Sequence, residues 1–159
     1  MQQNKPILAM DIPTVSKPSL YPEPFASMMD GRLKRKLGNH FSLNNFGVNL
    51  TELAAGAMSA LKHQHSRQDE FIYILSGTPV LIYGNKKYLM HPGECMGFKA
   101  GEGIAHQLIN ETNEMVRYLE IGDRTVGDEV LYPENDLSAH SSKTGEWIFL
   151  HKNGTPYKI

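Results

Sequence analysis

His63 and His65 stand one residue apart, and Glu70 follows after a short polar turn. In a β-strand residues i and i+2 point to the same face. Two imidazoles on one strand face, followed by a carboxylate, are ligands that borderline transition metals accept. His106 comes much later, in the alternating run Ala105-His106-Gln107-Leu108-Ile109-Asn110. These four side chains are expected to meet inside a β-structure and hold one divalent metal. Three neutral imidazoles and one carboxylate would leave such a site with a net charge of about +1, and open positions would take water, oxygen or a substrate oxygen. A single histidine is more often a hydrogen-bonded structural residue; His40, His91, His140 and His151, which lack partners at useful spacing, are read as surface or turn residues. Cys95 is read as a small buried hydrophobe rather than a nucleophile. No Ser/His/Asp arrangement, phosphate-cradling glycine loop or zinc-finger cysteine pattern is present.

The elements that must position these residues are short strands. Phe46 to Leu53 alternates apolar with polar or small residues. Gly56 turns the chain into the histidine strand, and Glu70 to Leu75 is rich in β-formers. With Gly77 and Thr78 as a hairpin loop, Ile74 would lie opposite Leu81 and Ile72 opposite Tyr83. Glu70, Ile72 and Ile74 then share the metal-side face. Phe71, Tyr73, Leu75, Val80 and Ile82 make the other face equally apolar, which calls for cover on both sides, from the N-terminal arm, another sheet or a second subunit. Gly84-Asn85 suits a two-residue hairpin loop, and Pro92-Gly93 the centre of a type II turn. Cys95 to Phe98 is a short strand. With a loop at Thr112-Asn113, the strand Met115 to Ile121 would place Leu119 opposite His106 and Arg117 opposite Leu108, unless a bulge flips the faces. In that register Arg117 could clamp a carboxylate or phosphate, although an exposed strand arginine is the preferred reading. Tyr83 could donate a proton, but filling volume is the commoner role. No general acid or base is assigned.

Prolines at positions 6, 13, 18, 22 and 24 make residues 1–31 an arm rather than a core element. Arg32 to Leu37 reads as an edge strand with Arg32, Lys34 and Lys36 on one face, protected by its lysines. A phosphate-binding strip is the alternative, resting on charge. In the tail, 129–132 and 147–150 are candidate strands, and the polar stretch 138–145 reads as an exposed loop. No convincing helical period, repeat or low-complexity block appears. Many short strands separated by turn residues imply an all-β barrel or sandwich.

Composition sets the outer bounds. A length of 159 residues favours one domain spanning 1–159, large enough for a core without staples. A net charge of -1 gives no basic field for nucleic acid or anionic membrane. A lone cysteine, no apolar leader and no membrane-length apolar run lead to the expectation of a soluble, cytoplasmic protein.

The motif residues resemble the cupin superfamily. Its first motif, glycine, His-x-His, glutamate, glycine, is matched by Gly56, His63, His65, Glu70 and Gly77, with one extra residue before His63. Its second, glycine, proline-x-glycine, histidine, asparagine, is matched by Gly93, Lys99-Ala100-Gly101, His106 and Asn110, with lysine for proline and two added residues before His106. The resemblance implies a single antiparallel β-barrel of jelly-roll type, its motif-bearing core at 46–121, and metal ligation by His63, His65, Glu70 and His106. It leaves the ion open among Fe, Mn, Ni, Zn and Cu. Leu119 to Arg124, Gly127-Asp128-Glu129, Tyr132-Pro133 and Asn153 to Tyr157 resemble a subgroup of single-domain bacterial cupins labelled sugar-phosphate-isomerase-like. The implied function is metal-dependent chemistry on a small oxygenated metabolite, such as aldose–ketose isomerisation. The alternatives are a non-catalytic small-molecule binding or sensing protein and an iron-dependent dioxygenase. A homodimer is implied by the resemblance and the two-sided apolar strands, with a small molecule as ligand or substrate and no nucleic acid or membrane partner.

Overall fold

The computed structural model describes residues 5–15 and 19–157. The chain forms twelve strands among those residues: β1 Arg32–Lys36, β2 Phe46–Leu53, β3 Gln64–His65, β4 Glu70–Ser76, β5 Val80–Tyr83, β6 Lys86–Leu89, β7 Cys95–Phe98, β8 His106–Ile109, β9 Val116–Asp123, β10 Glu129–Tyr132, β11 Leu137–Ser141 and β12 Trp147–Leu150. A single α-helical turn, α1 Leu37–His40, joins β1 to β2. The fold is all-β and antiparallel, as expected. No helix among the described residues is long and apolar enough to cross a membrane.

One layer is a five-stranded sheet in the order β1-β2-β9-β4-β7. The other is built from β12-β11-β10-β3 and β6-β5-β8. The bridges His63↔His106 and Met58↔Ile109 join those two smaller sheets. Leu53, Ile74, Val116 and Tyr118 of the first layer pack against Leu81 and Leu108 of the second, all buried in one cluster. This is the jelly-roll arrangement, in which sequential strands often lie in different sheets.

That topology overturns two hairpin registers. β4 does not pair with β5; its neighbours are β7 and β9. Gly77 lies where the chain leaves β4, at φ +79°, and a Cβ there would come within 2.9 Å of the Val116 backbone. Only glycine lets the chain pass so close to β9 on its way to the other sheet. Likewise β8 pairs with β5, not β9, and β9 lies between β2 and β4. Its faces are therefore reversed: Tyr118 and Glu120 share the inward face with Ile74 and Ile72, and Arg117 and Leu119 point outward. The local turns came out as read. Tyr83 pairs with Lys86 across Gly84-Asn85, with Gly84 at φ +59°.

Residues 138–145 are not simply a loop, because Leu137, Ala139 and Ser141 alternate inward and are buried in β11. Their small side chains weaken the apolar signal without weakening the period. The N-terminal segment also does more than an arm: Phe25 and Met29 are buried against Leu61, Val130, Leu137 and Phe149. β1 is the edge strand expected, but its basic face turns inward while Leu33 is left exposed. Cys95, expected to be buried, is exposed. The outer face of β4 is also uncovered in the single chain, with Phe71, Tyr73 and Leu75 each exposed.

Candidate metal centre

The four expected ligands come together from both layers. His63 and His106 are cross-strand neighbours that exchange backbone hydrogen bonds, His63 N–H to His106 O at 3.1 Å and His106 N–H to His63 O at 2.8 Å. This brings their rings to 4.6 Å between centroids. His65 follows two residues on, where β3 pairs with β10. Glu70 opens β4 in the facing sheet, and its Oε2 is the point of convergence: 2.9 Å from His106 Nε2, 3.3 Å from His63 Nε2 and 3.4 Å from His65 Nε2. The donor atoms of His63, Glu70 and His106 lie within 4.8 Å of one another.

The far sides of two rings explain why their Nε2 atoms face inward. His63 Nδ1 lies 2.7 Å from the carbonyl oxygen of Leu61. A carbonyl only accepts, so Nδ1 carries the proton and Nε2 keeps its lone pair. His65 Nδ1 is 2.5 Å from Asp128 Oδ2. Asp128 is fully buried, and its Oδ1 accepts from the backbone N–H groups of Arg67 at 2.7 Å and Gln68 at 3.2 Å. The His106 ring is held by Phe98, stacked parallel at 3.7 Å.

Without an ion between them, the rings and the carboxylate act on one another directly. Burial alone would raise the Glu70 carboxyl, but the imidazoles of His106, His63 and His65 outweigh it and hold it well below the usual carboxylate range. Burial pushes His106 down, against the pull of Glu70, and keeps that ring neutral. Burial works against a charge on His65 too, yet Asp128 and Glu70 prevail and raise it.

The donor set fits a divalent cation. Glu70 Oε2 is buried and has no hydrogen-bond partner among the described residues, although three ring nitrogens surround it. The Nε2 atoms of His63 and His106 with Glu70 Oε2 suit a borderline transition ion, and His65 Nε2, 3.4 Å from Glu70 Oε2 but outside that tightest group, is the fourth candidate donor. Anchored Nδ1 groups are the supports that such ligands need.

The cluster sits in a cavity of about 410 Å³ between the layers. Gly122, directly opposite Glu70 on β9, leaves open the space a side chain would take. Arg32, Lys34 and Lys36 of β1 line the cavity, as do Asn49 and Glu120. Ser19, Leu20 and Tyr21 of the N-terminal segment line it as well, and the Tyr21 ring packs edge-on against Tyr132 and Phe149.

Arg117 is not near the cluster. It points outward and pairs with Glu52 at 2.8 Å. Tyr83 lies opposite His106 in the β5–β8 ladder and packs near Phe98, where it fills volume. Two functional side chains were missed. Asp128 falls in the Gly127-Asp128-Glu129 segment that carries the subgroup resemblance, but nothing in the sequence pairs it with His65, 63 residues away. Glu120 was not considered, because the hairpin register turned Arg117 and Leu119 toward the cavity instead.

A solved structure of a sugar phosphate isomerase from a cupin superfamily, from Silicibacter pomeroyi, is 35% identical over 97% of this chain and 98% of that one, with a TM-score of 0.88. This chain belongs to the cupin superfamily. The cupin domain model matches residues 49–122, which include all four cluster residues. A second cupin-like structure, from Acidithiobacillus ferrooxidans and provisionally named for the same activity, is 29% identical over 80% of this chain and 81% of that one, with a TM-score of 0.71. The polyketide cyclase RemF from Streptomyces resistomycificus, at 19% identity and a TM-score of 0.59 over 75% of this chain and 78% of its own, shares the cupin fold alone. No curated protein matches the chain.

Proposed function

We propose that this cupin is a metal-dependent enzyme of sugar-phosphate isomerase type, acting on a small phosphorylated sugar. The observation that carries the proposal is the meeting of three Nε2 atoms at Glu70 Oε2 on the wall of a cavity that is also lined by cations. A bound divalent ion would supply Lewis acidity toward a carbonyl or hydroxyl oxygen of the substrate.

The chain's own residues supply the rest. His63, His65, His106 and Glu70 would hold the ion, and Leu61 and Asp128 fix two of the rings. Arg32, Lys34, Lys36 and Arg124 outnumber the carboxylates of Glu70, Glu120 and Asp123 along the cavity, a balance suited to a phosphorylated ligand. Tyr21, Tyr132 and Phe149 form an apolar border that limits water beside the cluster. The relative from Silicibacter pomeroyi, named a sugar phosphate isomerase, supports the same substrate class. The functional unit is proposed to be a homodimer, with the exposed outer face of β4 at the contact.

The test is turnover. The protein is stripped and reloaded separately with Fe, Mn, Ni, Zn and Cu, then offered pentose and hexose phosphates. Aldose–ketose interconversion by at least one loaded form, absent from the stripped form, is the expected result. Stoichiometric binding across the panel without conversion would overturn the enzyme in favour of a sensor, and iron-dependent oxygen uptake would overturn it in favour of a dioxygenase.

A further inference from the structure

We infer that Glu120 is the proton-transferring residue of this cavity, held in place by Lys34 and Asn49. The inference rests on the isomerase proposal and supplies the general base that was not evident from the sequence.

Glu120 is on the inward face of β9, opposite Ile72, two residues before Gly122. Gly122 faces Glu70 across the ladder, so Glu120 is the diagonal neighbour of Glu70, at about 7–8 Å between backbones. Glu120 is not among the residues whose donor atoms converge, yet it lines the same cavity, where a substrate seated beside the cluster would meet it. Gly122 carries no side chain, and a Cβ there would already touch Glu70 Cγ at 3.7 Å.

Its two oxygens are differently engaged. Oε1 accepts from Lys34 Nζ at 2.7 Å and from Asn49 Nδ2 at 3.1 Å. Oε2 accepts a long contact from the Tyr118 hydroxyl at 3.3 Å. The carboxylate is thus fixed through one oxygen and keeps lone pairs on the other. The Lys34–Glu120 pair brings together β1 and β9, which flank β2, and both residues line the cavity. An ion pair whose only role was to close the sheet edge would not need to face the cavity. Burial raises the Glu120 carboxyl, but Lys34 outweighs burial and lowers it below its ordinary value, so the group is a carboxylate at neutral pH.

The step balances without any redox partner. Glu120 Oε2 takes the proton from C2 of an open-chain aldose phosphate. The C2–H electron pair becomes the C1–C2 double bond, and the carbonyl pair moves onto O1. The proton on O2 passes to O1. The O2 electron pair then forms the C2 carbonyl, and the double-bond pair takes the proton from Glu120 at C1. Aldose becomes ketose, and the carboxylate is restored.

The experiment compares the metal-loaded wild type with E120Q and E120D on a pentose or hexose phosphate that the wild type converts. E120Q keeps the carboxyl's shape and loses its basicity. Its kcat is expected to fall about 10²–10⁴-fold, with KM changed less than about threefold, bound metal unchanged and an unfolding midpoint near that of the wild type. E120D is expected to fall between the two, because the shorter acid still takes a proton. Wild-type kcat in E120Q would overturn the inference and leave the isomerase proposal standing. A loss of kcat that tracks loss of metal or of fold in both variants would assign Glu120 a structural role instead. No conversion by the wild type on any panel member would overturn the isomerase proposal, and this inference with it.

Discussion

Asp128 Oδ2 lies 2.5 Å from His65 Nδ1, and this contact ties the start of β10 to the metal-side strand β3. The carboxylate has no freedom to turn away. Its other oxygen is held by two backbone N–H groups and by Ser66 Oγ at 3.2 Å, and its own N–H donates to Ser141 Oγ at 3.0 Å. Asp128 therefore sets both the orientation of His65 and which ring nitrogen faces the cluster.

From this follows the behaviour of Asp128→Asn. The amide nitrogen would face His65 Nδ1 or force a rotated ring, and the lone pair on Nε2 would lose its fixed aim. Metal affinity is expected to fall about 10–100-fold with the fold retained. A competition titration against a chelator of known affinity measures this. Unchanged affinity would mean that His65 is oriented without Asp128.

Removing two ligands at once tests the cluster itself. In the double variant His63→Ala, His106→Ala, only His65 and Glu70 remain, too few to hold an ion against a chelator. Elemental analysis is expected to find no bound metal, and far-UV circular dichroism is expected to keep its β signal, because both histidines enter the ladder through backbone groups. Metal content equal to that of the wild type would refute the ligand assignment.

The clustering of the four side chains could be read from the sequence because its information is local. His-x-His on a strand and a glutamate opening the next one are statements about residue type and parity. Strand partners are not local. β4 looked like half of a hairpin with β5 because Gly77 and Thr78 suit a loop. The close approach of Gly77 to Val116, which sends the chain to the other sheet, involves a residue far along the sequence. The same error at β8 and β9 exchanged the faces of β9, so Arg117 was considered for the cavity and Glu120 was not. β11 was hidden for a different reason: its inward positions are filled by Ala139 and Ser141, whose small side chains signal a loop in composition while fitting against the neighbouring strands.

Glu52 offers a measurement of stability against pH, away from the cluster. It is buried on the outer face of the five-stranded sheet between Arg117, at 2.8 Å, and Arg35. Burial would raise its carboxyl, but the two guanidinium groups outweigh burial and lower it. A carboxyl lowered on folding adds stability that is fully present above its unfolded pKa and is lost as the pH falls through the folded value. Glu52→Gln is therefore expected to cost about 1–2 kcal/mol at neutral pH, the lower part of the range for charge-assisted hydrogen bonds, because Arg117 is 43% exposed and screened by solvent. The gap between the two proteins is expected to shrink as the pH falls below the ordinary glutamate range. Urea midpoints at neutral pH and at about pH 3 check both statements. A gap that is constant with pH would mean that the carboxylate charge contributes nothing.

The outer face of β4 leads to the last prediction. Phe71, Tyr73 and Leu75 are 37%, 39% and 43% exposed, and they continue a face that also carries Val48, Leu119 and Ile121. Several large apolar side chains side by side on a regular sheet mark a contact surface more than a solvated one. A second copy of the chain would meet that face with a matching one through a two-fold axis, so each residue would be buried twice for one change in sequence. Phe71→Glu with Tyr73→Glu places four charges at such a contact and none inside the fold. Light scattering is expected to give twice the chain mass for the wild type and the single-chain mass for the variant, with bound metal unchanged. A wild type of single-chain mass would refute the dimer, and a variant that remains dimeric would place the contact on another face.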